Sequence, residues 1–308
     1  MRKKISNSRL LIVFVVLLAL VVILFTRKNG QKDRSFDKQL VKFDIEAVTQ
    51  IKLYPKSMKD GMVEIIKNDE DWALKSGTES YRANKNMIDG MISQLHNLTA
   101  LSLVANSKDR WEAYEVSDSL ASEVVLYAGN KKVADVFIGK FKFSQPQNMS
   151  TYVRVGGKKE TYKVEGFLSS TFNRQLNDLR DKTVINDQLA NWTKLTFDYP
   201  ADSSFVVSKN GEKWMLDGMP ADSAEVVKYI NTVKRSNGNK IAEDGVLSSP
   251  NLYKLTIERE NLSPVIVEVK ETAMTKVVHS SENAETWFDD KSLIDRLFVP
   301  RSKFTIKN

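Results

Sequence analysis

Lys67-Asn68-Asp69-Glu70-Asp71-Trp72-Ala73-Leu74 and Lys209-Asn210-Gly211-Glu212-Lys213-Trp214-Met215-Leu216 carry one pattern twice: Lys-Asn, a short turn, then Trp-x-Leu. Apolar residues at alternate positions behind a turn mark a strand leaving a hairpin. Asn210-Gly211 is a tight-turn signal, because Gly reaches positive φ without a Cβ clash. Each copy then runs to an Ala, a polar cap and a helix, at Ala83-Asn84 and Ala221-Asp222. Met87, Ile88, Met91, Ile92, Leu95 and Leu98 fall on one stripe, which predicts a helix over 84–98 capped by Asn84. Val226, Val227, Tyr229, Ile230 and Val233 predict the second, with Asp222 and Glu225 at capping-box spacing.

Working outward, Val48 to Leu53 and Met62 to Ile66 read as a strand pair turning at Pro55 to Gly61. Their counterparts are Trp192 to Tyr199 and Phe205 to Lys209, turning at Pro200-Ala201. Val124 to Tyr127 with Val133 to Gly139, and Thr151 to Val155 with Glu160 to Val164 around Gly156-Gly157, read as hairpins. A Pro-containing loop, Ser144 to Ser150, separates them. In the second half Leu252 to Glu258 and Val265 to Lys270 turn around Asn261 to Pro264. Phe167 to Leu179 reads as one helical stripe, and Ser292 to Phe298 as a last helix stopped by Pro300. The helix-then-basic ending also recurs, at Leu179-Arg180-Asp181-Lys182 and Val299-Pro300-Arg301-Ser302-Lys303. The expected class is α+β: two related subdomains, 47–188 and 189–308, each an antiparallel sheet laying one face on its helices.

Leu10 to Phe25, LLIVFVVLLALVVILF, contains no charge, Gly, Pro or polar side chain. Four basic residues precede it (Arg2, Lys3, Lys4, Arg9) and four follow (Arg27, Lys28, Lys32, Arg34). In hydrocarbon the backbone must satisfy its own hydrogen bonds, so such a run is expected as a helix. Sixteen residues rise about 24 Å, and flanking Lys and Arg recover the rest of the bilayer by snorkelling. The exit Phe25-Thr26-Arg27-Lys28 lacks the small residues of a signal-peptide cleavage site. The expectation is therefore a tail over 1–9, a transmembrane helix over 10–26 and a polar juxtamembrane linker over 27–46. Equal basic flanks leave orientation undecided by charge. Length favours a cytoplasmic tail and a body in the periplasm, anchored singly in the inner membrane.

The net charge of +7 lies wholly in residues 1–34, which hold eight Lys/Arg and one acid. The rest balances 38 bases against 38 acids, so the basic pI of 9.2 reflects membrane flanking and gives no nucleic-acid footprint. Cys is absent, which excludes disulfides, thiol nucleophiles, Cys-ligated metal and a lipidated cysteine.

Only two His occur, His96 beside the first helical stripe and His279 in a polar strand end, without metal-ligand spacing or a G-x-S-x-G partner. Asp289-Asp290 and Glu70-Asp71 are the obvious neighbouring carboxylates for glycoside hydrolysis, and both read as turn acids. There is no phosphate-binding Gly-rich motif. Trp72 and Trp214, at equivalent places, read as core residues packed on the following helix rather than as sugar platforms. No catalytic, cofactor-binding or metal residue is assigned.

Trp72-x-Leu74, the apolar helix, Tyr114-Glu115-Val116, Phe137-Ile138-Gly139-Lys140, Tyr152-Val153-Arg154, Thr161-Tyr162-Lys163-Val164 and Leu179-Arg180-Asp181-Lys182 follow in a fixed order. That order resembles the four-three-four-zero domain-of-unknown-function family over about residues 47–270, a bacterial group with an N-terminal membrane segment. Members commonly have Tyr-Gly-Leu where this chain has Tyr114-Glu115-Val116. The resemblance implies the company of gliding-motility-type ABC transporter components, and so a membrane-protein partner; it supplies no catalytic residues. The resulting expectation is a non-catalytic accessory or binding protein of the cell envelope in a transport- or motility-associated complex. It would touch lipid through residues 10–26 and use no cofactor and no nucleic acid. The alternative is an envelope carbohydrate-active hydrolase using paired carboxylates.

Overall fold

The computed structural model describes residues 14–19, 21, 38–58, 61–144, 148–189, 191–242, 250–272 and 275–306. The first sheet has nine strands. They are β1 (Gln50–Tyr54), β2 (Val63–Asn68), β3 (Asp71–Ser76), β4 (Glu79–Arg82), β5 (Ala100–Ala105), β6 (Ser122–Ala128), β7 (Lys131–Ser144), β8 (Asn148–Val155) and β9 (Thr161–Glu165), in the order 4-3-2-1-6-7-8-9-5. Every pairing in it is antiparallel.

The second sheet has eight strands. They are β11 (Trp192–Asp198), β12 (Phe205–Asn210), β13 (Lys213–Leu216), β14 (Met219–Pro220), β16 (Asn251–Arg259), β17 (Leu262–Glu271), β18 (Lys276–Ser280) and β19 (Asn283–Phe288), in the order 14-13-12-11-16-17-18-19. The two orders match strand for strand except at one edge. There β5 joins the first sheet, whereas its positional counterpart β15 (Arg235–Asn237) pairs with β10 (Thr183–Asn186).

Alternation along the strands decides which face is covered. In the first unit Ile51, Leu53, Ile65, Leu74, Val124, Val136 and Val153 point to one side. They bury Ile88, Met91, Ile92 and Leu95 of α1 (Lys85–His96), Leu168 and Phe172 of α2 (Leu168–Phe172), and Leu179 of α3 (Leu176–Leu179). In the second unit Phe197, Val207, Leu216, Ile257, Val267 and Phe288 do the same for α4 (Ser223–Val233) and α5 (Lys291–Leu297), with Phe304 closing the core. Both Trp-x-Leu tryptophans are buried in these cores.

Asn84 Oδ1 accepts from the Met87 N–H, and Asp222 Oδ1 from the Ala224 and Glu225 N–H groups. Glu225 does not close a capping box; its carboxylate pairs with Lys228 and Lys303 instead.

Several boundaries differ from the sequence reading. Leu40 and Val41, expected in a polar linker, are buried in the first core, and Gln39 bridges Thr99. Val184 and Ile185 of β10 belong to the second core, so the units divide before residue 183 rather than after 188. The 167–179 stripe is two short helices, broken where the Asn173 side chain turns away to accept from the Ser57 N–H. Much of the loop at 144–150 is strand: Phe141 to Ser144 pair with Thr151 to Asn148. Of the expected membrane span, residues 14–19 and 21 are helical and exposed, and the remainder lies outside the described residues. No helix among the described residues is long and apolar enough to cross a membrane.

The units meet through polar side chains. Arg180, buried, donates from Nη2 to the Glu285 carbonyl and Thr286 Oγ1 at 2.9 Å and stacks 3.8 Å from the Tyr81 ring. Arg82 donates to the Glu282 carbonyl and pairs with Asp181, whose own carbonyl accepts from Asn283 Nδ2. Hydrogen bonds to charged groups are worth about 1.5–3 kcal/mol each, so this seam holds β4 beside β19.

Glu115 has φ 56°, in the left-handed region. A Gly at this place would remove the Cβ strain that Glu carries. Directly opposite, a Cβ on Gly139 would lie 2.3 Å from the Tyr114 carbonyl oxygen and 2.7 Å from Val116 Cγ1. Gly139→Ala is expected to lower unfolding free energy by about 1–3 kcal/mol through overpacking. Glu115→Gly is expected to raise it by about 1 kcal/mol. Urea titration of both variants checks the pair, and a neutral Gly139→Ala contradicts the packing described.

Candidate functional site

An apolar recess lies at one end of the second sheet, where β11, β16 and β18 meet α5. Its volume is about 800 Å³. Tyr199 follows β11, Tyr253 opens β16, and Phe298 leaves α5; their ring centroids stand 5.4, 5.6 and 6.2 Å apart. Two of these contacts are edge-on, the arrangement ring quadrupoles favour. Tyr199 Oη donates to the Val299 carbonyl at 2.8 Å, which fixes the ring as the cleft floor. Behind it Phe197, Phe205, Tyr229 and Phe304 continue the aromatic packing into the core. Burial, and then Tyr253 beside it, push the Tyr199 phenol well above its ordinary value, so it stays protonated across the physiological range.

The rim is charged. Lys276 Nζ donates to Tyr253 Oη at 3.1 Å and lies 5.0 Å from that ring's centroid. That hydrogen bond holds the ammonium form and pushes its pKa up. Lys291 pairs with Asp295 at 2.8 Å, and Arg301 with Asp217 at 2.9 Å. The cleft therefore offers three rings and the apolar sides of Ile294, Val299 and Pro300, with a cation at its edge. Such a lining can receive an apolar or aromatic group with a negative charge at its edge.

The residues weighed from sequence stand elsewhere. His96 lies against Phe43, its Nδ1 3.0 Å from that carbonyl, in the first unit. His279 stacks on Trp287 at 4.6 Å in the second, and burial pushes its pKa down. Glu70 sits in the β2–β3 turn and Asp71 at its edge. Asp290 caps α5 through the Leu293 N–H, while Asp289 is held low by Lys240 and Thr275. Among the described residues no group of three or more His, Cys, Asp or Glu is placed to hold a metal.

The fold brings together two acids that the sequence keeps apart. Register pairs Glu123 with Phe137 and Val125 with Asp135, which sets Glu123 and Asp135 diagonally on the open face of the first sheet. Burial, then the charges of Asp135 and Asp118, push the Glu123 carboxyl up; Asp135 is paired to Lys132 at 2.7 Å. Only the β6–β7 register reveals this pair. Beside it Arg154 is held between Trp111 and Phe137, 3.9 and 3.6 Å from their rings, and bonds Asp118 and the Val116 carbonyl.

A model of the family described as Domain of unknown function (DUF4340) matches residues 72–285. No curated protein and no solved structure matches.

The raised carboxyl predicts a pH dependence. Between the ordinary glutamate value of 4.5 and the raised folded value, the folded state binds more protons than the unfolded one. Stability then falls as pH rises through that window. Glu123→Gln is expected to match the wild type near pH 4 and to exceed it progressively toward neutrality. Urea midpoints across pH 4–7 test this; a pH-independent difference removes the assigned cause.

Proposed function

The chain belongs to the family described as Domain of unknown function (DUF4340), and from that premise we propose that it is a single-pass, membrane-anchored binding protein of the bacterial cell envelope. The observation that carries this reading is the uncharged run Leu10 to Phe25 between two basic clusters, ahead of a charge-balanced body. A bare apolar helix in water leaves its whole surface unpaired with anything apolar, and lipid removes that cost. The tail 1–9 stays in the cytoplasm and the body works in the periplasm, beside the inner membrane.

The body binds rather than turns over. Its apolar cleft is floored by Tyr199, whose phenol burial keeps protonated, and rimmed by Lys276, and no His is among its lining residues. That composition suits an apolar or aromatic segment of a membrane-protein partner carrying a carboxylate beside Lys276. The partner is a component of a transport- or motility-associated complex, as the family resemblance implies. The second reading, a carbohydrate-active hydrolase, draws on the Glu123–Asp135 pair; it requires Glu123→Gln to abolish glycan cleavage by the purified chain.

The test is a pull-down of the full chain through a C-terminal tag from gently solubilised membranes, alongside carbonate extraction. The expected result is retention in the membrane pellet and recovery of an envelope membrane protein. Phe298→Arg and Lys276→Glu, both at the cleft, should cut that recovery about tenfold, as removal of a central contact does. Extraction into the soluble fraction, or recovery unchanged in both variants, counts against the reading.

A further inference from the structure

The β7–β8 hairpin outruns the helices that cover it. Ile138, Phe141 and Phe143 share a face with Val153, Thr151 and Met149, because the register pairs them in that order across an irregularity at Gly139-Lys140. At the inner end this face is core: Ile138, Val153 and Thr151 are buried, and Thr151 Oγ1 accepts from the Leu168 N–H at the start of α2. Beyond Thr151 no helix among the described residues buries it. Phe143 is 53 % exposed, Met149 47 %, and Phe167 44 %, with the Phe141 ring 4.5 Å from Phe167. Lys140 and Lys142 flank this overhang and are exposed. A cavity of about 560 Å³ opens beside it, lined by Lys56, Lys140 and Arg174 together with Glu115 and Asp178; Lys56 pairs with Glu115, and Arg174 Nε there is buried without a hydrogen-bond partner.

The second unit supplies an internal comparison. Its hairpin at the same place in the strand order, β17–β18, ends its pairing on Glu271 with Lys276 and, among the described residues, carries no apolar extension. The overhang belongs to the unit next to the N-terminal apolar run. Gln39 bridges Thr99, Ala100 pairs with Val164, Glu165 with Ser150, and Ser150 with Lys142. The chain therefore enters the sheet at the end where the overhang projects, four strand spacings or about 19 Å away. The 14 residues from Phe25 to Gln39 span at most about 50 Å.

We propose that Phe141, Phe143, Met149 and Phe167 form a second membrane contact, which seats in the headgroup layer of an anionic bilayer with Lys140 and Lys142 on its phosphates. Aromatic side chains favour that layer, and basic ones are drawn to anionic lipid. The inference rests on the anchored reading above and adds where the body meets the membrane.

The chain has no Cys, so single-cysteine labelling is clean. The full chain carrying Met149→Cys, or Leu262→Cys on the β16–β17 turn as reference, takes an environment-sensitive fluorophore. It is then reconstituted into phosphatidylcholine vesicles with or without phosphatidylglycerol. The expected result is a blue shift at 149 and several-fold quenching there by headgroup-region nitroxide lipid. Both should be stronger with phosphatidylglycerol, weakened by Lys140→Glu with Lys142→Glu, and absent at 262. If the protein floats with the vesicles while the 149 probe reads water as 262 does, the overhang is not a membrane contact and the anchor stands. If it does not float, both readings fall.

Discussion

Two backbone hydrogen bonds close each unit, and the rest of the architecture depends on them. The Ala83 N–H donates to the Trp72 carbonyl and the Asn84 N–H to the Leu179 carbonyl; Ala221 donates to Trp214 and Asp222 to Phe304 in the same way. The first bond ties the start of the long helix to the strand bearing the buried tryptophan. The second ties it to the last helical turn of the unit, far along the chain. Together they set the long helix across the covered sheet face, so that its apolar stripe meets alternate residues of the strands. A sheet covered on one side has no freedom of register, because a shift of one residue would turn its core into solvent.

The exposed apolar surfaces follow from where that covering stops. At one end of the second sheet, α5 and the chain after it stand off from β16 and leave a cleft floored by Tyr199, Tyr253 and Phe298. In the first unit α2 and α3 are short and end before the β7–β8 hairpin does, which leaves Phe143 and Met149 outside. The open face of the first sheet is partly roofed by the 106–121 segment, where Arg154 is sandwiched between rings. The corresponding region of the second sheet instead carries the stacked His279 and Trp287. Two like frames thus present unlike surfaces. Rigid frames of this kind hold their different surfaces at fixed separations.

Much of the frame was legible in the chain. Alternation at Trp72-Leu74 and Trp214-Leu216, the stripe from Ile88 to Leu95, and the caps Asn84 and Asp222 are local signals, and the elements stand where those signals put them. The misread places are those where a distant partner overrides a local signal. Leu40 and Val41 sit in a charged stretch, yet the Thr99 bridge draws them into the core. The 167–179 stripe breaks because Asn173 bonds the Ser57 amide, a contact between residues far apart in sequence. The strand character of 141–144 and 148–151 was hidden by the neighbouring proline, although these residues pair with one another.

Composition and local pattern alone determined the class of element at most places, the charge-neutral body and the apolar N-terminal run, because burial periodicity and net charge are properties of neighbouring residues. Only the tertiary structure decided that Glu123 meets Asp135, that Arg180 locks one unit to the other, and that three rings form a cleft. Those depend on strand register and on contacts across the fold, and no local propensity encodes which distant side chains a closed sheet brings face to face.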